Sequence, residues 1–251
     1  MTRFPFLFFP VALHAQSLVL TVVNNSTSQT IWPAVEAAGS YVVSPDGGRV
    51  IDYSQNPLPD GLALQANSQV QIPLTSFPWS GRVWARQYCS PDGTGCVVGD
   101  CGHPSCWGRS STGTTLFEIT ALKNKMYYDI SLVDGFTCGV YVQPDDDDCE
   151  AVACIAPPYL GIDENQSMVC PPSNLITDTR TGNVPIGCNS DCSVYKTDEY
   201  CCRGGYDATT CKGSNSWFKK TCPGAYSYAY DDKDATFTCG FRNMTIYFQC
   251  S

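Results

Sequence analysis

The chain has 251 residues, of which 24 are acidic and 15 are basic, so its formal net charge at pH 7 is −9. This acidic balance argues against nucleic acid and anionic membranes as partners, and it suits neutral or cationic ligands. The 16 cysteines are typical of an oxidising compartment, in which they could form as many as eight disulfides.

The N-terminus has the pattern of a secretory signal over residues 1–15. Arg3 gives a positive end, the stretch from Phe4 to Leu13 is apolar but too short to cross a bilayer, and Ala15 is a small residue at the cut. The alternative is an N-terminal core strand, although residues 18–23 already supply one. No later run is long and apolar enough for a membrane helix. We therefore expect a secreted protein, extracellular or in the cell wall, without a membrane anchor.

The mature chain, residues 16–251, is predicted to be mainly β. Short β-type runs separated by turns fill the cysteine-free segment 17–88. The strands predicted there are 18–23, 30–32, 49–53, 68–72 and 81–86. The β pattern returns within 114–148 and again within 223–251. Because a chain of this size can bury a sandwich core, we predict one β-sandwich built from both ends of the chain.

Two segments interrupt the β pattern and hold most of the cysteines. Residues 89–113 are predicted to form a small loop region, and residues 149–222 a larger disulfide-rich region with few apolar runs and no core of its own. Zinc is the alternative for close cysteine pairs, but export favours oxidation and the mature chain retains a single histidine, His103. His103 is also the only base available to a serine or cysteine triad, although Cys101–Cys106 is typical of a stapled loop. We therefore predict neither a metal nor another cofactor.

Residues 127–136 are the stretch on which a functional site is most readily built, because two carboxylates stand there among apolar and aromatic residues. Acids are depleted in strands, and strand alternation would send Asp129 and Asp134 to opposite faces. A bend near Gly135 could bring both acids into one groove, together with Glu118 from the preceding strand-like run. The alternative is that each acid only ends a strand or accepts backbone hydrogen bonds.

Five segments of the mature chain occur in a recognisable order. They are Trp79–Arg86, Cys96–Gly102, Asp129–Phe136, Tyr200–Cys202 and Cys222–Asp232, the last followed by Thr236–Cys239. In this order and with matching cysteines, they resemble a thaumatin-like protein of pathogenesis-related class 5. The resemblance covers essentially the whole mature chain. It implies an antiparallel β-sandwich with disulfide-rich loop domains and an acidic cleft between them.

The cleft in such proteins is lined by an arginine, a glutamate and three aspartates, and each has a counterpart in this chain. The matching positions are Arg82, Glu118, Asp129, Asp134 and Asp232. For glycoside hydrolysis, Glu118 would be the proton donor and Asp134 the partner carboxylate, with Asp129 as the second candidate for that partner. Arg82 would hold one aspartate ionised and, with Asp232, would bind substrate.

The resemblance also implies a function and a partner. Such proteins bind β-1,3-glucans and some hydrolyse them weakly, so we expect a monomer that binds β-1,3-glucan or another cell-wall polysaccharide, with an antifungal or wall-remodelling role. The alternatives are a carbohydrate-binding defence protein without catalysis and a protein-binding inhibitor. Trp84, on the strand face of Arg82, could stack on sugar rings or could be buried packing.

A disulfide pairing is implied as well. The seven pairs would be Cys89–Cys96, Cys101–Cys106, Cys149–Cys239, Cys154–Cys222, Cys170–Cys188, Cys192–Cys201 and Cys202–Cys211. Ser26 stands where the family has its first cysteine, whose partner would be the last one, Cys250. Cys138 occupies a position where the family usually has no cysteine. Parity makes Cys138–Cys250 the simplest new bridge.

Four Asn-x-Ser/Thr sequons are expected glycosylation sites of a secreted protein. They begin at Asn24, Asn25, Asn165 and Asn243. Because Asn24 and Asn25 are adjacent, we do not expect both to be modified.

Overall fold

The computed structural model describes residues 17–38, 41–43, 49–51, 55–111, 113–155, 170–214 and 216–250. The expected signal at residues 1–15 and the sequon at Asn165 lie outside this part of the chain. The strands are β1 (Leu18–Asn24), β2 (Ile31–Ala37), β3 (Tyr41–Val43), β4 (Arg49–Ile51), β5 (Gln69–Leu74), β6 (Trp79–Gln87), β7 (Leu116–Ala121), β8 (Lys125–Ser131), β9 (Gly135–Phe136), β10 (Gly139–Pro144), β11 (Val152–Cys154), β12 (Leu175–Asp178), β13 (Val184–Asn189), β14 (Phe237–Gly240) and β15 (Met244–Gln249). The helices are α1 (Asp191–Tyr195), α2 (Asp198–Cys201) and α3 (Ser216–Thr221), with 3-10 turns at Pro172–Asn174, Thr179–Thr181 and Asp232–Asp234.

Two five-stranded sheets form the predicted sandwich. The first has the strand order β11-β10-β15-β1-β5, and the second has the order β14-β8-β7-β6-β2. All neighbours are antiparallel except β1 and β15, which run parallel with Leu20 opposite Met244. This exception has a simple cause: β1 and β15 come from the two ends of the chain, so no hairpin joins them. The predicted mainly β sandwich is confirmed.

The core lies between the two sheets and follows from strand alternation. On β1, Leu18, Leu20 and Val22 are completely buried. On β8, Tyr128 and Ile130 are also completely buried. Asp129, which lies between them on β8, therefore points to the opposite face of the second sheet, away from the sandwich core.

The disulfide-rich region packs against the sandwich core through α3. Trp217 and Phe218 of α3 are buried and belong to the same apolar cluster as the sandwich residues. The Trp217 ring lies 6.1 Å from the ring of Phe136, between centroids. These two side chains therefore extend the sandwich core into this region. The helices α1 and α2, by contrast, bury none of their residues.

All 16 cysteines are paired, and the eight pairs are the seven implied by the family resemblance together with Cys138–Cys250. Ser26 still lies beside the last cysteine, because its Oγ accepts a hydrogen bond from the Cys250 backbone N–H at 3.0 Å. Among the described residues, no helix has the length and apolar character needed to span a membrane.

Candidate functional site

Four charged side chains form a row across the outer face of the second sheet. Glu36 on β2 is paired with Arg82 on β6. Arg82 is in turn paired with Glu118 on β7, and Glu118 with Asp129 on β8. Directly opposed residues of antiparallel strands point to the same face, with Cβ atoms about 4.5–5.5 Å apart. Strand register alone therefore places three carboxylates and one guanidinium side by side; we call these four residues the charged row.

Asp134 reaches the same face because the chain leaves β8 after Ser131 and bends at residues 133 and 134. At Gly135 φ is +150°, and a Cβ there would lie 2.8 Å from the carbonyl oxygen of Cys188, so no side chain fits at this position. After the bend, Asp134 Oδ2 lies 3.7 Å from Arg82 Nη1. The two aspartates that a regular strand would separate thus line the same cavity.

The fifth predicted residue, Asp232, lies in the 3-10 turn before β14. Its Oδ1 accepts a hydrogen bond from the Tyr226 hydroxyl at 2.7 Å. The backbone beside Tyr226 is tied to the end of β8, since Tyr226 donates its N–H to the Ile130 carbonyl at 2.9 Å. These contacts hold Asp232 opposite the charged row.

All five sequence-predicted residues line one open cavity of about 700 Å³, together with Glu36. A volume of this order is typical of sites for small ligands or for a segment of a polymer. Hydroxyl groups supply most of the remaining polar lining. They come from Ser80, Thr120, Tyr127, Ser131 and Tyr226. The cavity therefore combines acids with neutral hydrogen-bonding groups.

Glu118 and Asp129 oppose each other on neighbouring strands, and the pKa of each is raised. Burial, and after it the charges of Glu118 and Asp232, raises the pKa of Asp129 to about 8. Its Oδ1 is buried and makes no hydrogen bond with any residue that the structure describes. Burial also raises the pKa of Glu118, although Arg82 and a hydrogen bond from Ser131 act in the opposite direction. Because two opposed buried carboxylates cannot both ionise at low cost, this pair retains a proton near neutrality.

Asp134 differs from this pair because it faces a cation. Burial raises the pKa of Asp134, Arg82 lowers it, and the charge of Glu36 raises it further. Burial works against the charge on Arg82 itself, but Glu36, Glu118 and Asp134 outweigh it and raise the pKa of the guanidinium. Arg82 therefore stays charged and is the counter-ion of the cavity.

Glu36 is the cleft residue that sequence reasoning missed. Its Oε2 lies 2.6 Å from Arg82 Nε, a shorter contact than the one between Arg82 and Asp134. The sequence pattern predicts a strand only over residues 30–32, whereas β2 continues to Ala37 and its alternation puts residue 36 on the face of the cleft. The available signal was an acid six residues after Thr30 in a β-type run.

The aromatic residues near the cleft are Trp84, for which two roles were expected, and Tyr127, which was not singled out. Trp84 is completely buried, and its Nε1 donates to the Gly99 carbonyl at 2.9 Å, so the alternative of buried packing is the observed one. Tyr127, two residues before Asp129 and on the same strand face, is 37% exposed and lines the cavity. Alternation outward from Asp129 would have identified it.

His103 lies in the loop closed by the Cys101–Cys106 disulfide. Its Nδ1 is 2.9 Å from the carbonyl oxygen of Ser105 and 3.1 Å from the Ser105 backbone nitrogen. A protonated Nδ1 donates to the carbonyl, and an unprotonated Nδ1 accepts from the Ser105 N–H. These backbone contacts are those of a loop-stabilising histidine. Within the described part of the chain, no group of three or more histidine, cysteine or acidic side chains is arranged to hold a metal ion.

A disulfide-stapled β-sandwich with one arginine and several carboxylates in a surface cleft defines the thaumatin-like class of proteins. The Thaumatin family model matches residues 25–250, and the chain belongs to the thaumatin family. The resemblance seen in the sequence is thereby confirmed.

Three relatives in sequence support the same assignment, and one solved structure is reported beside them. Thaumatin-like protein 1 from Pyrus pyrifolia is 36% identical over 239 residues, which cover 90% of this chain and 88% of that protein. Pathogenesis-related protein 5 from Arabidopsis thaliana is 39% identical over 236 residues, covering 90% and 88%. A protein from Prunus avium named glucan endo-1,3-beta-glucosidase is 40% identical over 201 residues, covering 74% and 77%. A solved structure, the thaumatin-like xylanase inhibitor TLXI, aligns with a TM-score of 0.43 at 16% identity, covering 91% and 97%.

Proposed function

We propose that this chain is a secreted protein that binds β-1,3-glucan in the acidic cleft and hydrolyses it weakly as an endo-β-1,3-glucanase. The observation that carries the proposal is the asymmetry of the acids: Glu118 and Asp129 oppose each other and are buried, whereas Asp134 faces Arg82. Glycoside hydrolysis needs one carboxyl group that holds a proton and a second that is ionised. The name of the 40% identical Prunus avium relative supports the choice of linkage.

In this mechanism Glu118 is the proton donor. Burial, and after it the charges of Asp134 and Glu36, raises the pKa of Glu118 and favours its protonated form. On cleavage the proton passes to the glycosidic oxygen, and the bond between that oxygen and the anomeric carbon breaks. Burial raises the pKa of Asp134, and Arg82 opposes this shift. In its ionised form Asp134 either attacks the anomeric carbon, after which water hydrolyses the glycosyl-enzyme, or takes a proton from the water that attacks that carbon.

The other lining groups suit a neutral sugar chain. Sugar hydroxyls can donate to the carboxylate of Asp232 and exchange hydrogen bonds with Ser80 and Thr120, whose side-chain oxygens lie 2.9 Å apart. The partly exposed ring of Tyr127 offers an apolar surface to a sugar ring. A neutral polymer avoids the repulsion that an anionic one would meet in a cleft of this charge.

One observation favours the alternative of binding without cleavage. Arg82 lies closer to Glu36, at 2.6 Å, than to Asp134, at 3.7 Å. Burial raises the pKa of Asp134, and an Asp134 that kept its proton could hydrogen-bond a sugar but could not attack it. The same cleft would then be a carbohydrate-binding site.

The test is release of reducing ends from a linear β-1,3-glucan, measured beside a pulldown on the insoluble polymer. The proteins are the wild type, Glu118→Gln, Asp134→Asn and the control Glu150→Gln, which removes one exposed carboxylate outside the cleft. We expect hydrolysis by the wild type and the control, a loss of about 100-fold or more in the two cleft variants, and retained pulldown in all four.

Three outcomes would change the proposal. Hydrolysis that persists in Glu118→Gln would remove the assignment of the proton donor. Pulldown of the wild type without any release of reducing ends would leave the binding-only function. Absence of both pulldown and hydrolysis would overturn the proposal.

A further inference from the structure

Glu36 lies outside the five positions that the family resemblance assigns to the cleft, yet it makes the shortest contact to the cleft arginine. Besides the 2.6 Å contact between its Oε2 and Arg82 Nε, its Oε1 accepts a hydrogen bond from the Ser110 hydroxyl at 3.0 Å. Ser110 Oγ in turn accepts from Arg82 Nη2 at 2.9 Å. Three groups from β2, β6 and the loop region 89–113 thus form a closed hydrogen-bonded ring.

This ring fixes the direction of the guanidinium. Arg82 uses Nε toward Glu36 and Nη2 toward Ser110, which leaves only Nη1 on the side of Asp134. That nitrogen is 3.7 Å from Asp134 Oδ2, which is beyond hydrogen-bonding distance. An arginine beside a carboxylate ordinarily forms two parallel short bonds. Here that bidentate arrangement with Asp134 is not made.

We propose that Glu36 is a positioning residue of the cleft. It holds the Arg82 guanidinium against strand β2 and Ser110, and so keeps the positive charge at a distance from Asp134 and Glu118. The inference concerns the cleft of the proposed function, but the position of Arg82 does not depend on which ligand binds there. Only its consequence for hydrolysis rests on the proposed function.

The charges around Arg82 determine the sign of the effect. The titratable groups that share the cavity with it are Glu36 from β2, Glu118 from β7, Asp129 from β8, Asp134 after the bend, and Asp232 with Tyr226 from the C-terminal part. Of these, Glu36, Glu118 and Asp134 act on the charge of Arg82. Tyr226 stays neutral, since burial raises its pKa to about 12. Among the described residues that line the cavity, Arg82 is the one basic side chain. Its orientation therefore decides which acid is compensated.

Loss of the Glu36 charge would lower the pKa of Asp134 in two ways. It removes a negative charge that raises the pKa of both Glu118 and Asp134. It also frees the guanidinium to close the 3.7 Å gap and to pair with Asp134. Both changes favour the ionised form of Asp134, and the first also favours ionised Glu118.

The experiment is a titration of the Asp134 carboxyl carbon by NMR in the absence of any glucan, with the resonance assigned by its loss in Asp134→Asn. Glu36→Gln keeps the shape of the side chain and removes its charge. We expect the Asp134 midpoint to fall by about one pH unit in this variant, the low end of the range for a carboxylate that gains an arginine partner.

Two matched variants serve as controls. Glu36→Asp keeps a charge near Arg82, and Glu150→Gln removes an exposed charge elsewhere. In both variants the Asp134 midpoint should stay within about 0.3 unit of the wild type, because the first keeps a charge near Arg82 and the second removes a distant exposed charge that salt screens. Ser110→Ala breaks the ring at one point and should lower the midpoint by less than Glu36→Gln does.

A midpoint in Glu36→Gln that is unchanged or higher, in a protein with the unfolding temperature of the wild type, would overturn the inference. If Glu36→Gln does not fold, an unchanged midpoint in Ser110→Ala would overturn it instead. Failure of glucan binding would leave this titration unaffected, so the two proposals fail separately. Where hydrolysis is measured, Glu36→Gln should shift the basic limb of the pH–rate profile to lower pH, since Glu118 would lose its proton earlier.

Discussion

Replacement of Asp129 by asparagine should stabilise the protein at neutral and alkaline pH. In the fold the pKa of Asp129 is about 8, against a reference value of 3.8, because the side chain is buried beside Glu118. The folded state therefore holds the proton more tightly than the unfolded chain does. Its contribution to stability is fully present below about pH 4 and is lost as the pH rises toward 8.

The size of this loss follows from the two pKa values. Each pH unit between them corresponds to about 1.4 kcal/mol, so a difference of about four units corresponds to a loss on the order of 5 kcal/mol in the free energy of unfolding. Asparagine has almost the same shape and carries no proton to lose. Below pH 4 the free energies of unfolding of wild type and Asp129→Asn should thus depend on pH in nearly the same way. Between pH 4 and 8 the free energy of unfolding of the variant should rise relative to that of the wild type.

The assay is denaturant unfolding of the oxidised proteins at several pH values between 4 and 8. The quantity to compare is the free energy of unfolding of Asp129→Asn minus that of the wild type, with Glu150→Gln as a control that removes an exposed carboxylate. A difference that rises by several kcal/mol across this range for Asp129→Asn, and stays flat for the control, is the expected result. A flat difference for Asp129→Asn would refute the assignment of Asp129 as a buried, proton-holding acid.

Two further predictions concern glycosylation and the disulfides. In a eukaryotic host, glycan mapping should find Asn25 occupied and Asn24 empty, because Asn24 is buried and its Nδ2 donates to the carbonyls of Gln29 and Leu64 at 2.8 and 2.9 Å. A glycan on Asn24 of the folded protein would contradict this. Under mild reductant, hydrogen exchange should rise first in α1 and α2, which bury no residue, and later in α3, whose Trp217 and Phe218 join the sandwich core. Simultaneous opening of these helices and the sandwich strands would show that the disulfides do not stabilise the region separately.

The acids of the cleft could be located from sequence because local motifs carry them. The segment from Asp129 to Phe136 contains two of them. A regular strand would turn these two acids to opposite faces, so a shared groove required a bend near Gly135. The observed chain does leave the strand just before this glycine, where a Cβ would collide with the Cys188 carbonyl. The geometry of a bend is a local property, so a short segment was enough to predict it.

Glu36 could not be located in the same way, because its role depends on pairing between distant strands. It is 46 residues from Arg82 in sequence, and the contact exists only through the β2–β6 register. A shift of one residue in that register would turn Glu36 to the sandwich core. The parallel pairing of β1 with β15 escaped prediction for the same reason, since it joins the two ends of the chain.

Strand register explains why Cys250 can pair with Cys138 when serine stands at position 26, where the family has its first cysteine. In the first sheet β15 lies between β1 and β10. Asn24 is opposite Phe248 in the parallel pair, and Gly139 is opposite Gln249 in the antiparallel pair. Two residues further along β1 and one residue before β10, the same registers bring Ser26 and Cys138 to the two sides of Cys250. Cys250 therefore has a neighbour on each side: the Ser26 hydroxyl 3.0 Å from its N–H, and Cys138 with a Cα–Cα distance of 4.5 Å. Parity could suggest the pair Cys138–Cys250, but only the order β10-β15-β1 explains why the bridge can move from one neighbouring strand to the other without a change of fold.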